Sequence, residues 1–147
     1  MALTLKVLQE PGFEEPATKQ IPDRSDDIAR AFQQTLATED YEYALRLVSE
    51  YAAESLEAGQ PLLRKAPELG DKQYIVALAA LTRWVAAKTQ SVTPSWALNV
   101  SPSAQPVFLS DKIYPVGKRM KALIRAETPA ELKRLNVWMR ERSLATV

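Results

Sequence analysis

The sequence predicts a mainly α-helical protein, built as a single-domain helical bundle with a central buried helix, an N-terminal arm and a long ordered loop before the C-terminal helices. Three observations support this prediction. The chain has 147 residues, and 46% of them are apolar, which is enough for one core. Apolar residues recur at three- and four-residue spacing through most of the chain after residue 25. Residues 74–87 are apolar on almost every side, which is typical of a helix at the centre of a bundle.

Residues 1–24 are predicted to form the arm, and residues 25–147 the helical domain. Leu3, Leu5 and Val7 alternate with their neighbours in a short strand-like pattern. Three prolines, a glycine and several acidic residues follow without any sustained period. We therefore expect the arm to be a short strand or a disordered tether that becomes ordered on contact.

Capping residues and apolar spacing predict five helices in the domain. They are a helix at 26–37, one capped by Thr38 with Glu39 and Asp40 in its first turn and ended by Gly59, one at 72–89 capped by Asp71, one at 115–126 with Pro115 in its first turn, and one capped by Thr128 and ended near Asn136. In the fourth helix, the side chains expected to face inward are Val116, Met120, Leu123 and Ile124. Residues 91–110 are predicted to form the long ordered loop, and residues 140–147 a frayed last turn.

The composition argues against catalysis. The chain has no histidine and no cysteine, which removes imidazole and thiol chemistry and the usual zinc sites. Its four glycines are too scattered for a phosphate-binding loop. Adjacent acidic pairs such as Asp26-Asp27 point about 100° apart on a helix and cannot address one bond together. We expect no catalytic residue, no metal site, no cofactor and no enzymatic activity.

The sequence also predicts a cytoplasmic protein without a membrane segment. The first residues lack the basic start and small-residue cleavage site of a secretion signal. The longest apolar stretch, residues 74–87, is interrupted by Thr82 and Arg83 and is shorter than the roughly 20 residues that cross a bilayer.

Charge is distributed unevenly along the chain. Residues 1–60 carry 5 basic and 12 acidic side chains, whereas residues 61–147 carry 14 basic and 6 acidic ones. Residues 112–142 alternate basic residues with Tyr114 and Trp138, as phosphate-contacting surfaces do. The candidate nucleic-acid-binding residues are Lys118, Arg119, Lys121 and Arg125. A solvated basic face and docking on an acidic protein remain alternatives, and the match to a helix-turn-helix is poor because the turn glycine is missing.

The three tryptophans receive different interpretations. Trp84 is expected in the core, because it lies on the most apolar helix, and Trp96 is expected to hold the long loop in place. Trp138 lies among basic residues, where a large aromatic side chain can dominate an interface. The candidate partner-binding residues are Trp138, Arg134, Arg140 and Arg142.

Several segments of the second half of the chain resemble a family of small uncharacterised actinobacterial helical proteins. They are Ala77–Leu81 with Trp84–Ala86, Pro94-Ser95-Trp96, Leu123–Ala126, and the run Thr128–Met139, which has the family's Ser/Thr-Pro, basic, Asn and apolar pattern. Leu132 stands in place of the usual aromatic residue, and Leu135 in place of a basic one. The resemblance implies an antitoxin-like partner of nucleotidyltransferase-like proteins.

The expected function is therefore that of a non-enzymatic protein-binding module, antitoxin-like, which neutralises a partner protein. The alternative is a nucleic-acid-binding regulatory protein that uses the basic C-terminal segment. A homo-oligomer is left open by the sequence.

Overall fold

A computed structural model describes residues 23–145, and the chain is mainly helical there, which confirms the predicted fold class. The α-helices are α1 (Ser25–Ala37), α2 (Tyr41–Ala58), α3 (Lys72–Thr89), α4 (Ser95–Leu98), α5 (Lys118–Glu127), α6 (Ala130–Arg134) and α7 (Glu141–Ala145), and a 3-10 helix covers Leu109–Lys112. The predicted strand at Leu3–Val7 and the arm up to residue 22 lie outside the described residues.

The central helix is α3, with the bounds that the sequence predicts. The carboxylate of Asp71 accepts the backbone N–H groups of Gln73 and Tyr74 at 3.0 and 3.3 Å and so caps the helix as expected. Ten residues of α3 are buried, Trp84 among them. Four of the ten are alanines, and α2, α4 and α6 all pack against this helix. The core therefore surrounds α3.

The predicted cap of α2 is wrong. The hydroxyl of Thr38 donates to the carbonyl of Thr35 at 3.0 Å and so belongs to the end of α1. Glu39 follows with a positive φ of 57°, outside either helix, and the carboxylate of Asp40 accepts the N–H of Tyr43 at 3.2 Å. Helix α2 therefore begins at Tyr41. It ends at Gly59, as predicted, where φ is 80°.

The connector between α2 and α3 contributes to the core through Leu62 and Leu63, which are both buried. The indole N–H of Trp96 donates to the carbonyl of Leu63 at 2.9 Å. This bond ties the long loop to the connector, so the expectation for Trp96 is confirmed. The loop is less irregular than expected, because Trp96 lies on the one-turn helix α4.

Arg83 holds the same loop from the side of α3. Its guanidinium group donates to the carbonyls of Ala97, Leu98 and Val100 at 3.0, 3.2 and 3.4 Å. One side chain therefore positions the end of α4 and the residues that follow it.

Replacing Arg83 with methionine is expected to lower the free energy of unfolding by about 1–3 kcal/mol, because the donors are lost while the aliphatic stem is kept. Urea denaturation followed by circular dichroism measures the change. Arg46→Met, at an exposed position of α2, is the matched control and is expected to stay within about 0.5 kcal/mol of the wild type. Equal denaturation midpoints for the two variants would contradict the prediction.

The starts of the two helices near the C-terminus also differ from prediction. Pro115 precedes α5 instead of lying in its first turn, because the carboxylate of Asp111 accepts the N–H of Val116 at 2.7 Å and Gly117 is extended. The hydroxyl of Thr128 donates to the carbonyl of Ile124 at 2.6 Å, so Thr128 ends α5 and does not cap α6.

The chain after α6 is held by long-range contacts that could not be predicted from its sequence. Asn136 ends the short helix with a φ of 64°, as predicted. Val137 then forms a parallel bridge to Val107. The frayed last turn predicted for residues 140–147 is wrong for its described part, since α7 packs on α2 and Leu144 is buried.

Candidate functional site: an apolar groove beside α5

Helix α5 is attached to the rest of the fold by few buried side chains. Ile124 is the one buried residue among its ten. Met120 is 45% exposed and Leu123 is 40% exposed, and Val116 is half-buried, so the expectation that these three face the core with Ile124 is wrong. The contacts of α5 run instead to the 3-10 helix, through the Lys121–Asp111 ion pair at 3.3 Å, and to the segment after α6, through Glu127.

A groove of about 320 Å³ lies between α5, α2, the 3-10 helix and the chain from Trp138 to Ser143. Most of its lining is apolar. The lining residues are Leu45, Ser49, Leu109, Ser110, Tyr114, Val116, Met120, Ile124, Trp138, Met139, Arg140 and Ser143. Tyr114 is 67% exposed, so the groove is accessible from solvent. We refer to it below as the α5 groove.

A stack of aromatic rings and cations forms one wall beside the groove. The rings of Phe108 and Trp138 lie 6.4 Å apart at 19°. The guanidinium carbon of Arg125 is 4.8 Å from the ring centroid of Trp138 and 5.3 Å from that of Phe108. The Nζ of Lys121 is 4.9 Å from the ring centroid of Phe108. These distances are those of cation–π contacts, so the two cations are held in place next to the apolar lining.

Trp138 is positioned by its neighbour Asn136. The indole N–H of Trp138 donates to the side-chain oxygen of Asn136 at 2.7 Å, and the amide of Asn136 donates to the carbonyl of Ser103 at 3.1 Å. The backbone N–H of Trp138 donates to the carbonyl of Val107 at 2.9 Å. These three hydrogen bonds fix the orientation of the ring.

Arg140 and Arg142, two of the candidate partner-binding residues, both contact Glu127 at the end of α5. Their Nε atoms donate to its carboxylate at 3.2 and 2.9 Å. Burial raises the pKa of Glu127, but the hydrogen bonds and charges of the two arginines outweigh it and hold this pKa below its ordinary value. These arginines thus connect α5 to the C-terminal segment.

The structure brings together candidates that the sequence analysis assigned to different functions. Arg125, proposed there for nucleic acid, lies over the ring of Trp138, proposed there for a protein partner. Lys121 lies over the neighbouring ring of Phe108. Lys118 and Arg119 are exposed in the first turn of α5, which has no acidic residue. Because the N-terminal end of a helix is itself positive, this end of the groove favours anions.

The remaining candidate, Arg134, lies elsewhere. It is exposed on α6 and lines a separate shallow hollow with Arg83 and Leu98. The structure does not place it near the α5 groove.

The sequence did not indicate Met120, Leu45 or Ser49 as parts of a site, and it indicated Tyr114 only as an aromatic residue of the basic segment. One signal was present for Met120. Helix α5 carries four cations in ten residues, which leaves too narrow an apolar face to bury all of Met120, Leu123 and Ile124.

A second, larger hollow of about 630 Å³ lies at the start of α3, and its lining carries charges of both signs. Lys112 lies 3.9 Å from the carboxylate of Asp71 and 5.4 Å from the ring centroid of Tyr41. Because cations and acids already face each other there, the hollow has no excess charge and no continuous apolar lining to select a ligand.

Among residues 23–145, every helix is too short or too polar to cross a bilayer. No group of three or more acidic side chains in this range gathers closely enough to hold a metal ion. In comparisons with known proteins, no family model, no curated protein and no solved structure matches the chain.

Proposed function

We propose that this protein acts without catalysis, by binding another protein in the α5 groove. The observation that carries the proposal is an accessible apolar groove with oriented cations beside it. Met120 and Tyr114 are exposed at 45% and 67%, although both line a concave surface with Ile124. Apolar side chains grouped in this way mark interaction sites, and methionine adapts its shape to different partners.

The partner that fits this groove presents an amphipathic segment with acidic flanks. Apolar side chains spaced along one face of a helix would enter the groove, as in other helix-in-groove complexes. Carboxylates beside them would meet Lys118 and Arg119, the exposed cations in the first turn of α5. Charge complementarity of this kind contributes mainly to association rate and specificity, whereas the apolar contacts contribute most of the affinity.

Protein is favoured over nucleic acid for two reasons. Lys121 already pairs with Asp111 at 3.3 Å and lies over Phe108, and Arg125 lies over two rings. Lys118 and Arg119 remain as the most accessible cations of α5, and two cations are few beside the roughly 6–10 phosphate contacts of a strong DNA binder. An apolar groove also has no use in contacting a phosphate backbone.

The biological form that we propose for this binding is antitoxin-like, in the cytoplasm, with the partner held inactive. The resemblance of residues 71–147 supports this form, because members of the family that they resemble are themselves similar to antitoxin-like partners of nucleotidyltransferase-like proteins. An acidic segment of such a partner is what the α5 groove would hold.

The proposal is tested with a labelled synthetic helix that has leucines at positions i, i+3, i+4 and i+7 and glutamates elsewhere. We expect it to bind the protein, as measured by fluorescence anisotropy, and we expect Met120→Glu to weaken binding by about tenfold or more, because the new carboxylate lies in the apolar lining and faces acidic residues. Met120 is exposed enough for the variant to fold, which circular dichroism would verify.

Val92→Glu is the matched control. Val92 is 89% exposed and lies outside the groove, so the same change of side chain is expected to leave binding unchanged. A second peptide of the same composition, with its leucines distributed around the helix, is expected to bind weakly. If duplex DNA binds instead, with steep salt dependence that is lost in Lys118→Ala/Arg119→Ala, the nucleic-acid alternative replaces this proposal.

A further inference from the structure

The segment that precedes Asp23 has the chemistry to occupy the α5 groove. We propose that residues 10–15, with the sequence Glu-Pro-Gly-Phe-Glu-Glu, dock in this groove of the same molecule, with Phe13 among the apolar side chains and the glutamates beside the cations of α5. The segment then competes with the protein partner. This competition rests on the proposed function, whereas the docking does not.

The size and apolar character of the Phe13 side chain fit the α5 groove. Phe13 is the single aromatic residue among residues 1–22. The groove's volume of about 320 Å³ has room for one aromatic ring and part of its neighbours. Tyr114, Met120 and Trp138 line it and offer the ring and thioether contacts that a phenylalanine side chain prefers.

The acidic residues around Phe13 are opposite in charge to the cations in the first turn of α5. Glu10, Glu14 and Glu15 surround Phe13, and no basic residue lies between them. The first turn of α5 carries cations and no acid, so its side chains and the helix dipole have the same sign. Three carboxylates at this end would relieve that repulsion.

The chain is long enough for this contact. Arg24, just after the segment, forms an ion pair with Glu54 of α2 at 3.1 Å, so the chain joins the helical domain near Glu54. Ser49 of the same helix lines the groove. The five-residue step from Glu54 to Ser49 is about 8 Å along the helix axis. Crossing to the other side of α2 adds about 10–12 Å, its diameter with side chains. The ten residues from Phe13 to Asp23 extend to about 33 Å, which exceeds both distances together.

An occupant from the same chain also needs little intrinsic affinity. A short linker within one chain gives an effective concentration in the millimolar range, so even a weak contact would be well populated. A symmetric pairing of two α5 grooves is the less favourable arrangement, because an isologous interface would place the α5 cations of one copy against those of the other.

Paired cysteines test the docking, since the natural chain has no cysteine that could interfere. We expect Glu14→Cys/Lys118→Cys to form an intramolecular disulfide under mild oxidation about tenfold faster than Glu14→Cys/Glu57→Cys. Glu57 is exposed on α2, three residues after Glu54, so random collisions of the tether would favour the control pair. Adding Phe13→Ser to the first pair is expected to slow its disulfide formation toward the control rate. Non-reducing gels and mass spectrometry measure the products.

Equal rates for the two pairs, or no effect of Phe13→Ser, would overturn the docking. Predominant disulfide-linked dimers would also overturn it, because the segment would then belong to a second copy.

The competition is tested separately in the cysteine-free chain. We expect Phe13→Ser to bind the acidic leucine-patterned helix about tenfold more tightly than the wild type, since the groove is no longer occupied. If the disulfide forms as expected but the synthetic helix binds neither the wild type nor Phe13→Ser, the docking is supported and the proposed function is rejected. Equal binding of the helix to both proteins, without the expected disulfide, would support the proposed function and reject the docking.

Discussion

Truncation of Leu63 to alanine is expected to lower the free energy of unfolding by about 2–5 kcal/mol, as buried leucine-to-alanine changes do. Leu63 lies in a connector without regular structure, yet it is fully buried in the main core cluster. The members of this cluster on α1 and α2 are held by their own helices, so we expect the cavity to close only in part. Chemical denaturation of the full chain measures the loss.

The same substitution at Leu98 is the control. Leu98 is 58% exposed at the end of α4, so Leu98→Ala is expected to change stability by no more than about 0.5 kcal/mol. A small loss at Leu63, comparable with that at Leu98, would show that the connector is not part of the core.

A second large effect is expected at alkaline pH and comes from two buried tyrosines. Burial raises the pKa of Tyr51 to about 12, although hydrogen bonds to Thr82, Leu63 and Ser55 lower it in part. Burial and the charge of Asp71 raise the pKa of Tyr74 even further above its ordinary value. Below pH 10 both rings are neutral in the folded and unfolded chains, so their contribution to stability is complete.

Above pH 10 the unfolded chain releases these protons while the folded chain retains them. Each ring therefore removes up to about 1.4 kcal/mol of stability per pH unit, and for Tyr51 this continues to about pH 12. We expect Tyr51→Phe and Tyr74→Phe each to flatten the loss of stability between pH 10 and pH 12, as measured by urea denaturation across this range. Tyr114→Phe, at an exposed position, is expected to leave the slope of the wild type.

The two phenylalanine variants are expected to differ at neutral pH. The hydroxyl of Tyr51 lies 2.6 Å from that of Thr82, so its removal is expected to cost about 1 kcal/mol. The hydroxyl of Tyr74 is buried without a hydrogen-bond partner among the described residues, so Tyr74→Phe is expected to be neutral or stabilising. A clear destabilisation by Tyr74→Phe would indicate a partner such as a buried water molecule.

Helix positions could be predicted from the sequence better than helix starts. Helix α3 has its predicted bounds because Asp71 is an unambiguous cap before a long apolar stretch. The sequence predicts Thr38 and Thr128 as caps of the helices that follow them, but both hydroxyls donate to carbonyls of the preceding helix. A threonine between two helices can do either, and the local sequence does not distinguish the two.

Contacts between distant segments could not be predicted. Helix α7 has five residues and no helical stability of its own, and it forms because Leu144 is buried in the core beside α2. The stack of Phe108, Arg125 and Trp138 likewise joins three segments that only the fold brings together. The sequence assigned the basic residues of α5 and Trp138 to separate functions, and it did not predict the groove that the fold forms beside them.

The attachment of α5 by a single buried side chain has a consequence for how the molecule moves. Ile124 and a few surface contacts hold this helix, whereas α3 is enclosed on most of its surface. The free energy needed to detach α5 is therefore a small part of that needed to unfold the bundle. We therefore expect local opening of α5 while α3 and the helices packed against it keep their native structure.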